Sequence, residues 1–414
     1  FKVNSGEYKL MGLAPYGNPK YTQLIKDELI DIKNDGSFKL NMSYFNYCVG
    51  LTMTNKKFNK LFNGPRRSSE SKITQKEMDI AASIQKVTEE VIIKTATFLK
   101  KETNSENLCL SGGVALNCVA NGKLQNKNIF KNIWIQPASG DAGGALGAAL
   151  SIKYLYYDKK RETISNDDIM QGAYLGPEFN EKQILDIFNE ENAVFEKLTS
   201  QEIIKQTAKL LSEGKAVGWM NGRMEFGPRS LGNRSILADP RSDKMQKQLN
   251  LKIKYRESFR PFAPSVLYED INEWFDMSVE SPYMLMTANV KKNKLLELSD
   301  DTNTFGIEKL NQPRSIIPAV THVDNSARIQ TVHKKTNSDF FSLLSEFKKI
   351  TGCPILVNTS FNIRGEPIVC SPKDAYRCFM GTQLDVLVIE NFILKKENQK
   401  NKINKNYKSQ YDLD

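Results

Sequence analysis

Two glycine-rich loops, each set between a short apolar run and a stretch of small or apolar residues, constrain this chain more than any other feature. Ser111-Gly112-Gly113-Val114-Ala115-Leu116-Asn117 follows Leu108-Cys109-Leu110, and Ser139-Gly140-Asp141-Ala142-Gly143-Gly144-Ala145-Leu146-Gly147 follows Ile133-Trp134-Ile135 and Pro137. The short runs read as buried strands, and the stretches after the loops as helices, one near Asn117 to Leu124 and one through Leu150. Glycine lets a backbone approach a ligand closely, and the free N–H groups of a helix start attract phosphate. Each loop also has a plainer reading. Ser111-Gly112-Gly113 is a tight turn as readily as a phosphate loop, and Asp141 an N-cap as readily as a metal ligand beside a phosphate.

Upstream, Thr74 is a fitting N-cap for a helix whose apolar positions Met78, Ala81, Ala82, Ile84, Val87, Val91, Ile92 and Phe98 fall at three- and four-residue steps. Helix, strand, loop, helix, strand, loop, helix is the rhythm of an α/β layer. At 414 residues the chain exceeds one ordinary core, so two domains are expected. The first runs over 1–157, a polar linker over 158–171 and the second over 172–395. A Lys/Asn-rich tail, 396–414, has little to bury and is expected to be disordered. In the second domain a helix is expected near Gln201 to Ser212. Strands are expected at Ala216 to Trp219, Pro354 to Val357 and Asp385 to Ile389. The chain opens on Phe1 with motif-like sequence at once, which reads as a start inside a domain.

Composition narrows the function classes. Hydrophobic residues make up 40% and charged residues 26%, as in soluble globular proteins. No run approaches the roughly 18 apolar residues of a membrane helix and no signal peptide opens the sequence, so a cytoplasmic protein without a membrane partner is expected. The six cysteines include no CxxC pair, which suits buried thiols in a reducing compartment. The two histidines, His322 and His333, are not spaced as a helical metal pair. Of the net charge of +10, residues 395–414 carry +3, six lysines less three acids, which leaves +7 on the rest. That excess suits polyanionic small molecules such as nucleotides. The basic residues form no stripe with interleaved aromatics, so nucleic acid is not expected as a partner.

Polar motifs are dense in the second domain. Glu225-Phe226-Gly227-Pro228-Arg229-Ser230-Leu231-Gly232-Asn233-Arg234-Ser235 is followed by Lys254-Tyr255-Arg256-Glu257-Ser258-Phe259-Arg260-Pro261-Phe262-Ala263-Pro264. His322 to Gln330 adds Arg328, and Asn358-Thr359-Ser360-Phe361-Asn362 adds amide and hydroxyl groups. The planar fork of arginine matches phosphate and carboxylate oxygens. Taken singly, each arginine is explained by a surface ion pair. Taken together, these clusters in Gly/Pro-rich loops read as one converging anion site. No Ser-His-Asp triad or paired-carboxylate arrangement is present, and His322 reads as a base or, more simply, as a core or loop histidine.

Six runs make the sequence recognisable: GEYKLMGLAPYG (Gly6 to Gly17), SGGVALNCVANGKL (Ser111 to Leu124), SGDAGGALGAA (Ser139 to Ala149), EFGPRSLGNRSILADPR (Glu225 to Arg241), YRESFRPFAP (Tyr255 to Pro264) and NTSFNIRGEPIV (Asn358 to Val369). In this order, from the start to about Ile393, they resemble the NodU/CmcH-type O-carbamoyltransferases. The resemblance implies a partial actin-like ATPase (TsaD-like) domain followed by an α/β YrdC-like domain. It implies that carbamoyl phosphate and ATP, with Mg2+, give carbamoyladenylate, whose carbamoyl group passes to an acceptor hydroxyl on a small molecule or glycan. By motif, Arg229, Lys254 and Arg260 would contact ATP or the phosphate of carbamoyl phosphate, and Arg328 would help bind the latter. Asn358 and Ser360 would hold the nucleotide, Gly113 would lie against the carbamoyladenylate in the transfer domain, with Gly112 and Asn117 also cofactor-binding, and Asp141 would ligate Fe2+. The family's HxxH iron ligands and its histidine base lie upstream of Phe1, so the iron site is expected to be incomplete in this chain. A homodimer is left open. Three rivals remain: a threonylcarbamoyl-type tRNA modification enzyme, a nucleotide-binding module without catalysis, and a sugar kinase on the actin-like fold, which leaves 172–395 unexplained.

Overall fold

A computed structural model describes residues 6–68, 70–161, 168–297, 306–400 and 406–411. The first unit contains a small antiparallel pair, β1 (Ile30–Ile32) and β2 (Phe38–Leu40), and the long helix α1 (Gln75–Thr103). Thr74 begins α1 as expected, with the Glu77 carboxylate accepting the Thr74 N–H at 2.8 Å and its hydroxyl at 2.6 Å. Then come β3 (Asn107–Leu110), α2 (Cys118–Asn126), β4 (Asn132–Ile135) and α3 (Ala142–Ser151), with β3 and β4 paired in parallel. This is the strand–loop–helix alternation expected from the sequence.

The second unit is built on one nine-stranded mixed sheet. Its elements are β5 (Glu196–Lys197), α4 (Ser200–Ser212), β6 (Val217–Met220), β7 (Arg234–Ala238), β8 (Ala263–Leu267), β9 (Met286–Asn289), β10 (Ser326–Val332), α5 (Ser338–Thr351), β11 (Ile355–Ser360), α6 (Pro372–Gly381), β12 (Val386–Ile389) and β13 (Phe392–Lys395). The spatial order is β5-β13-β12-β6-β7-β11-β8-β10-β9, with β12/β6 and β10/β8 parallel and the other neighbours antiparallel. The α/β class read from the sequence is the class observed. The central strands β6, β7, β8 and β12 are buried at every position, the mark of a sheet covered on both faces. Strands β7, β8 and β10 overlap the ends of stretches that read from sequence as arginine-bearing loops. Arg328 on β10 and Asn358 on β11 therefore belong to the sheet, a correction to the loop reading.

Three other expectations meet structure. Of the expected linker, 162–167 lie outside the described residues, whereas Met170 is already buried in the core of the second unit. Of the expected disordered tail, 396–400 and 406–411 are placed, and Tyr407 is 3% exposed. Tyr407 has enough apolar ring to bury against α6, which the tail's lysine-rich composition conceals. No helix among the described residues is long and apolar enough to cross a membrane.

The two units share one core. Ala115 and Ile135 of the first unit belong to the same buried cluster as the sheet of the second. Helix α2 docks on the edge strand β9, where the Asn121 amide donates to the Leu285 carbonyl at 3.0 Å. Gly122 permits this approach: a Cβ there would stand 2.2 Å from the Thr287 carbonyl oxygen. Gly122→Ala is therefore expected to lower stability by about 1–3 kcal/mol through overpacking. Denaturant unfolding measures it, and a change below a few tenths of a kcal/mol would contradict the close fit.

Candidate functional site

The loop from Glu225 to Arg234 is folded by two buried, opposite charges. The Glu225 carboxylate accepts the N–H groups of Leu231, Asn233 and Arg234 at 2.6, 2.9 and 3.3 Å. The Arg234 guanidinium, 0% exposed, donates to the carbonyls of Asn221, Gly222, Asn233, Pro177 and Cys370 at 2.9 to 3.4 Å. Burial raises the pKa of Glu225 and lowers that of Arg234. Arg234 is therefore an internal tie between chain segments, and the loop it closes presents Arg229.

Arg229 lines a cavity of about 550 Å3 together with Lys254, Arg260, Arg328, Asn358 and Ser360. The structure thus brings six of the residues singled out from sequence to one place. The volume lies in the roughly 300–1,000 Å3 range of small-molecule sites. Arg256 and Arg364 also line it, giving six basic side chains against two carboxylates, Asp324 and Glu366. The first unit contributes Tyr8, Met11, Gly12, Pro15, Cys118 and Val119, so the cavity lies at the junction of the units.

The cations differ in what holds them. Arg260 pairs with Glu257 at 3.6 Å and stacks over the Tyr8 ring at 4.8 Å. Arg256 donates to Asn250 Oδ1 at 2.7 Å and lies over Phe262 at 4.6 Å. The Lys254 ammonium meets four oxygens: the Ser360 carbonyl and hydroxyl at 2.7 and 3.2 Å, and the Asn362 carbonyl and side-chain oxygen at 2.6 and 2.5 Å. It therefore fastens the loop after β11, with its donors engaged. Arg229 and Arg328 are different. The Nε of each is buried without a hydrogen-bond partner, and neither has a carboxylate pair among the described residues. Burial and the neighbouring Arg328 bring Arg229 down to about 9, and burial lowers Arg328 as well. Burial also pushes Lys254 and Arg256 well down, with cationic neighbours adding to the effect. Of these cations, Arg229 and Arg328 are the two that no described carboxylate compensates, as an anion site requires.

Beneath them runs a polar row across three strands. The Asn358 amide donates to Ser265 Oγ at 3.0 Å and to Gln330 Oε1 at 2.9 Å, while its own Oδ1, also buried, has no partner. Gln330 in turn donates to the Leu231 carbonyl at 2.6 Å, which ties this row to the Arg229 loop. An orphaned amide oxygen beside orphaned guanidinium nitrogens offers an acceptor and donors together. Such a set suits a ligand with both N–H and phosphate or carboxylate oxygens.

The expected site residues of the first unit lie apart from this cavity, whereas His322 lines it. Gly112, Gly113 and Asp141 are exposed, and Asn117 caps α2 by accepting the Ala120 N–H at 3.1 Å while exchanging hydrogen bonds with Gln85. Asn117 nonetheless starts the helix whose first residues, Cys118 and Val119, face the cavity. Asp141 makes no side-chain cap bond, and no group of three His, Cys, Asp or Glu that could hold a metal ion occurs among the described residues. These residues do not assemble an iron site among themselves. His322 is buried, its Nδ1 accepting the Val323 N–H at 2.7 Å and its Nε2 3.0 Å from the Gly12 carbonyl. That pairing makes Nε2 the protonated nitrogen. Burial lowers its pKa, so it is a neutral linker between the units, with no nitrogen free to act as a base. Arg256 and Arg364 are the cavity cations that sequence reading did not select, although both stand inside the quoted motifs.

The two kinds of arginine should part in stability measurements. Arg234→Met strands five carbonyls and is expected to destabilise by about 3–5 kcal/mol. Arg229→Met removes a half-buried charge that no described carboxylate compensates, and is expected to leave stability unchanged or raise it by about 1 kcal/mol. Urea unfolding of both variants decides it, and equal losses would contradict the distinction.

Residues 1–150 match the family model for the carbamoyltransferase N-terminus and residues 208–396 that for the carbamoyltransferase C-terminus. An uncharacterised protein of Synechocystis sp. is 59% identical over 402 residues, 96% of this chain and 65% of its own length. The nodulation protein NolO of Bradyrhizobium diazoefficiens is 37% identical over 395 residues, 94% of this chain and 66% of its own length. An uncharacterised protein of Methanocaldococcus jannaschii is 32% identical over 400 residues, 96% of this chain and 70% of its own length. The chain thus spans about two thirds of the length of these three relatives. Among solved structures, full-length HypF in its phosphate- and nucleotide-bound form shares 17% identity over 50% of this chain and 23% of its own, with a TM-score of 0.30, too remote to bear on the site. With matches to both halves and relatives of this identity along nearly its whole length, the chain belongs to the carbamoyltransferase family.

Proposed function

We propose that the protein is an ATP-dependent O-carbamoyltransferase and that the junction cavity is where its carbamoyl donor is activated. The observation that carries this is the pair of arginines without a described carboxylate partner, Arg229 and Arg328, each with a buried, unpartnered Nε, in one cavity with the unpartnered amide oxygen of Asn358. Carbamoyl phosphate is first hydrolysed to carbamate and phosphate. A carbamate oxygen then attacks the α-phosphorus of ATP, the bond to the β-phosphate breaks, and pyrophosphate leaves with Mg2+ riding on the polyphosphate. An acceptor hydroxyl finally attacks the carbamoyl carbon of the carbamoyladenylate, its proton leaves, and AMP departs.

The residues supply positioning and charge. Arg229 and Arg328 place donors against phosphate oxygens whose charge grows as a P–O bond breaks. Arg256 and Arg260, fixed by aromatic faces and by Asn250 and Glu257, need little reordering when the anion arrives. Asn358 Oδ1 can accept the carbamoyl N–H2, which distinguishes that group from a plain carboxylate. Iron belongs in this scheme to the transfer step, for which the described residues hold no complete ligand set. The acceptor is a hydroxyl-bearing small molecule or glycan.

Purified protein given carbamoyl phosphate is expected to exchange labelled pyrophosphate into ATP. Arg328→Ala should lower that exchange by about 100- to 1,000-fold, the usual effect of removing one preorganised charge donor. Arg328→Lys keeps the charge without the fork and should fall between the two. ATP binding without exchange would show a nucleotide-binding module in place of an enzyme.

A further inference from the structure

One carboxylate in the cavity wall is held in place from outside the cavity. Glu366 lines the cavity on the loop after β11 and is 8% exposed. Its Oε2 accepts the Ile363 N–H at 2.7 Å, and its backbone carbonyl accepts the Asn362 amide at 2.6 Å. Its Oε1 accepts the hydroxyl of Tyr407, and that of Tyr411 at 3.3 Å. Both tyrosines belong to the C-terminal segment, beyond residue 396, where the family match ends.

The seat for this segment is built. Gly381 closes α6 beneath the Tyr407 ring, where a Cβ would come within 2.2 Å of a ring carbon. The Tyr411 ring stands edge-on to that of Tyr407 with centroids 5.7 Å apart. Burial, then Cys378 and Glu366, push the Tyr407 hydroxyl up, so it remains a donor. Glu366 is also close enough to Lys254 to favour its charged form. A carboxylate free to turn inward would add negative charge to a cavity whose Arg229 and Arg328 have no described carboxylate partner and are open to an anion. Two phenol hydroxyls on one oxygen and an N–H on the other leave Glu366 satisfied where it is.

Resting on the anion reading of the cavity, we propose that the C-terminal segment is a positioning strap. Tyr407 and Tyr411 hold Glu366 against the wall so that its charge does not compete with the incoming phosphate, and through it they fix the loop of Ser360 and Asn362. Tyr407 is thus a positioning residue that acts through Glu366.

Calorimetric titration with inorganic pyrophosphate tests this without turnover. Tyr407→Phe keeps the ring on Gly381 and removes only the hydroxyl, and should weaken binding about five- to tenfold, a difference near 1 kcal/mol. Adding Glu366→Gln to Tyr407→Phe removes the competing charge and should restore wild-type affinity, which repair of a purely structural defect would not do. Unchanged affinity in Tyr407→Phe, or weakening that persists with Glu366→Gln, overturns the strap alone. Failure of the wild-type protein to bind pyrophosphate overturns the anion cavity, and the strap with it.

Discussion

Like charges brought together in a half-buried cavity repel, and the fold around Arg229 and Arg328 is organised to hold them there. Neither guanidinium is neutralised by a described carboxylate, and the repulsion between them contributes to the fall of Arg229 to about 9. Such an arrangement opposes folding unless surrounding contacts over-determine it. Those contacts are present. Glu225 gathers three backbone N–H groups on the Arg229 loop, Arg234 gathers five carbonyls beneath it, and Lys254 fastens the loop opposite. Charges satisfied by the chain build the walls, and charges left unsatisfied face the cavity.

The sheet and the unit junction carry this to function. Arg328 is paired in register with Thr287 on β9, and Thr287 receives helix α2 of the first unit at Gly122. The strand that aims a donor is thus also part of the seam between the units. The same seam places Cys118, Val119, Met11 and Tyr8 in the cavity wall. A ligand bound there touches both units, so its binding energy can act on how they fit together.

Much of this was legible in the sequence, and the remainder was not for identifiable reasons. The α/β alternation and the capped helix from Thr74 follow from local periodicity, which structure preserves. The convergence of Arg229, Lys254, Arg260, Arg328, Asn358 and Ser360 was readable only as a set, because each has an ordinary explanation alone. Arg234 shares a motif with Arg229 yet serves as a tie, since its partners include Pro177 and Cys370, 57 and 136 residues away. No local pattern encodes that. Strands β7, β8 and β10 were hidden by the polar motifs adjoining or overlapping them, and the buried Tyr407 by a lysine-rich tail. The glycine loops at Gly112 and Asp141, the most conspicuous feature of the sequence, lie outside the cavity.

The central claim is that Arg229 and Arg328 are left without a described carboxylate partner because a phosphate-bearing ligand completes them. The most direct measurement is an experimental structure determined in the presence of ATP and carbamoyl phosphate. The account predicts phosphate oxygens at about 2.7–2.9 Å from both guanidinium groups, the distance of charge-assisted bonds. Ligand bound elsewhere, or bound in the cavity with both arginines turned away from it, would contradict the account.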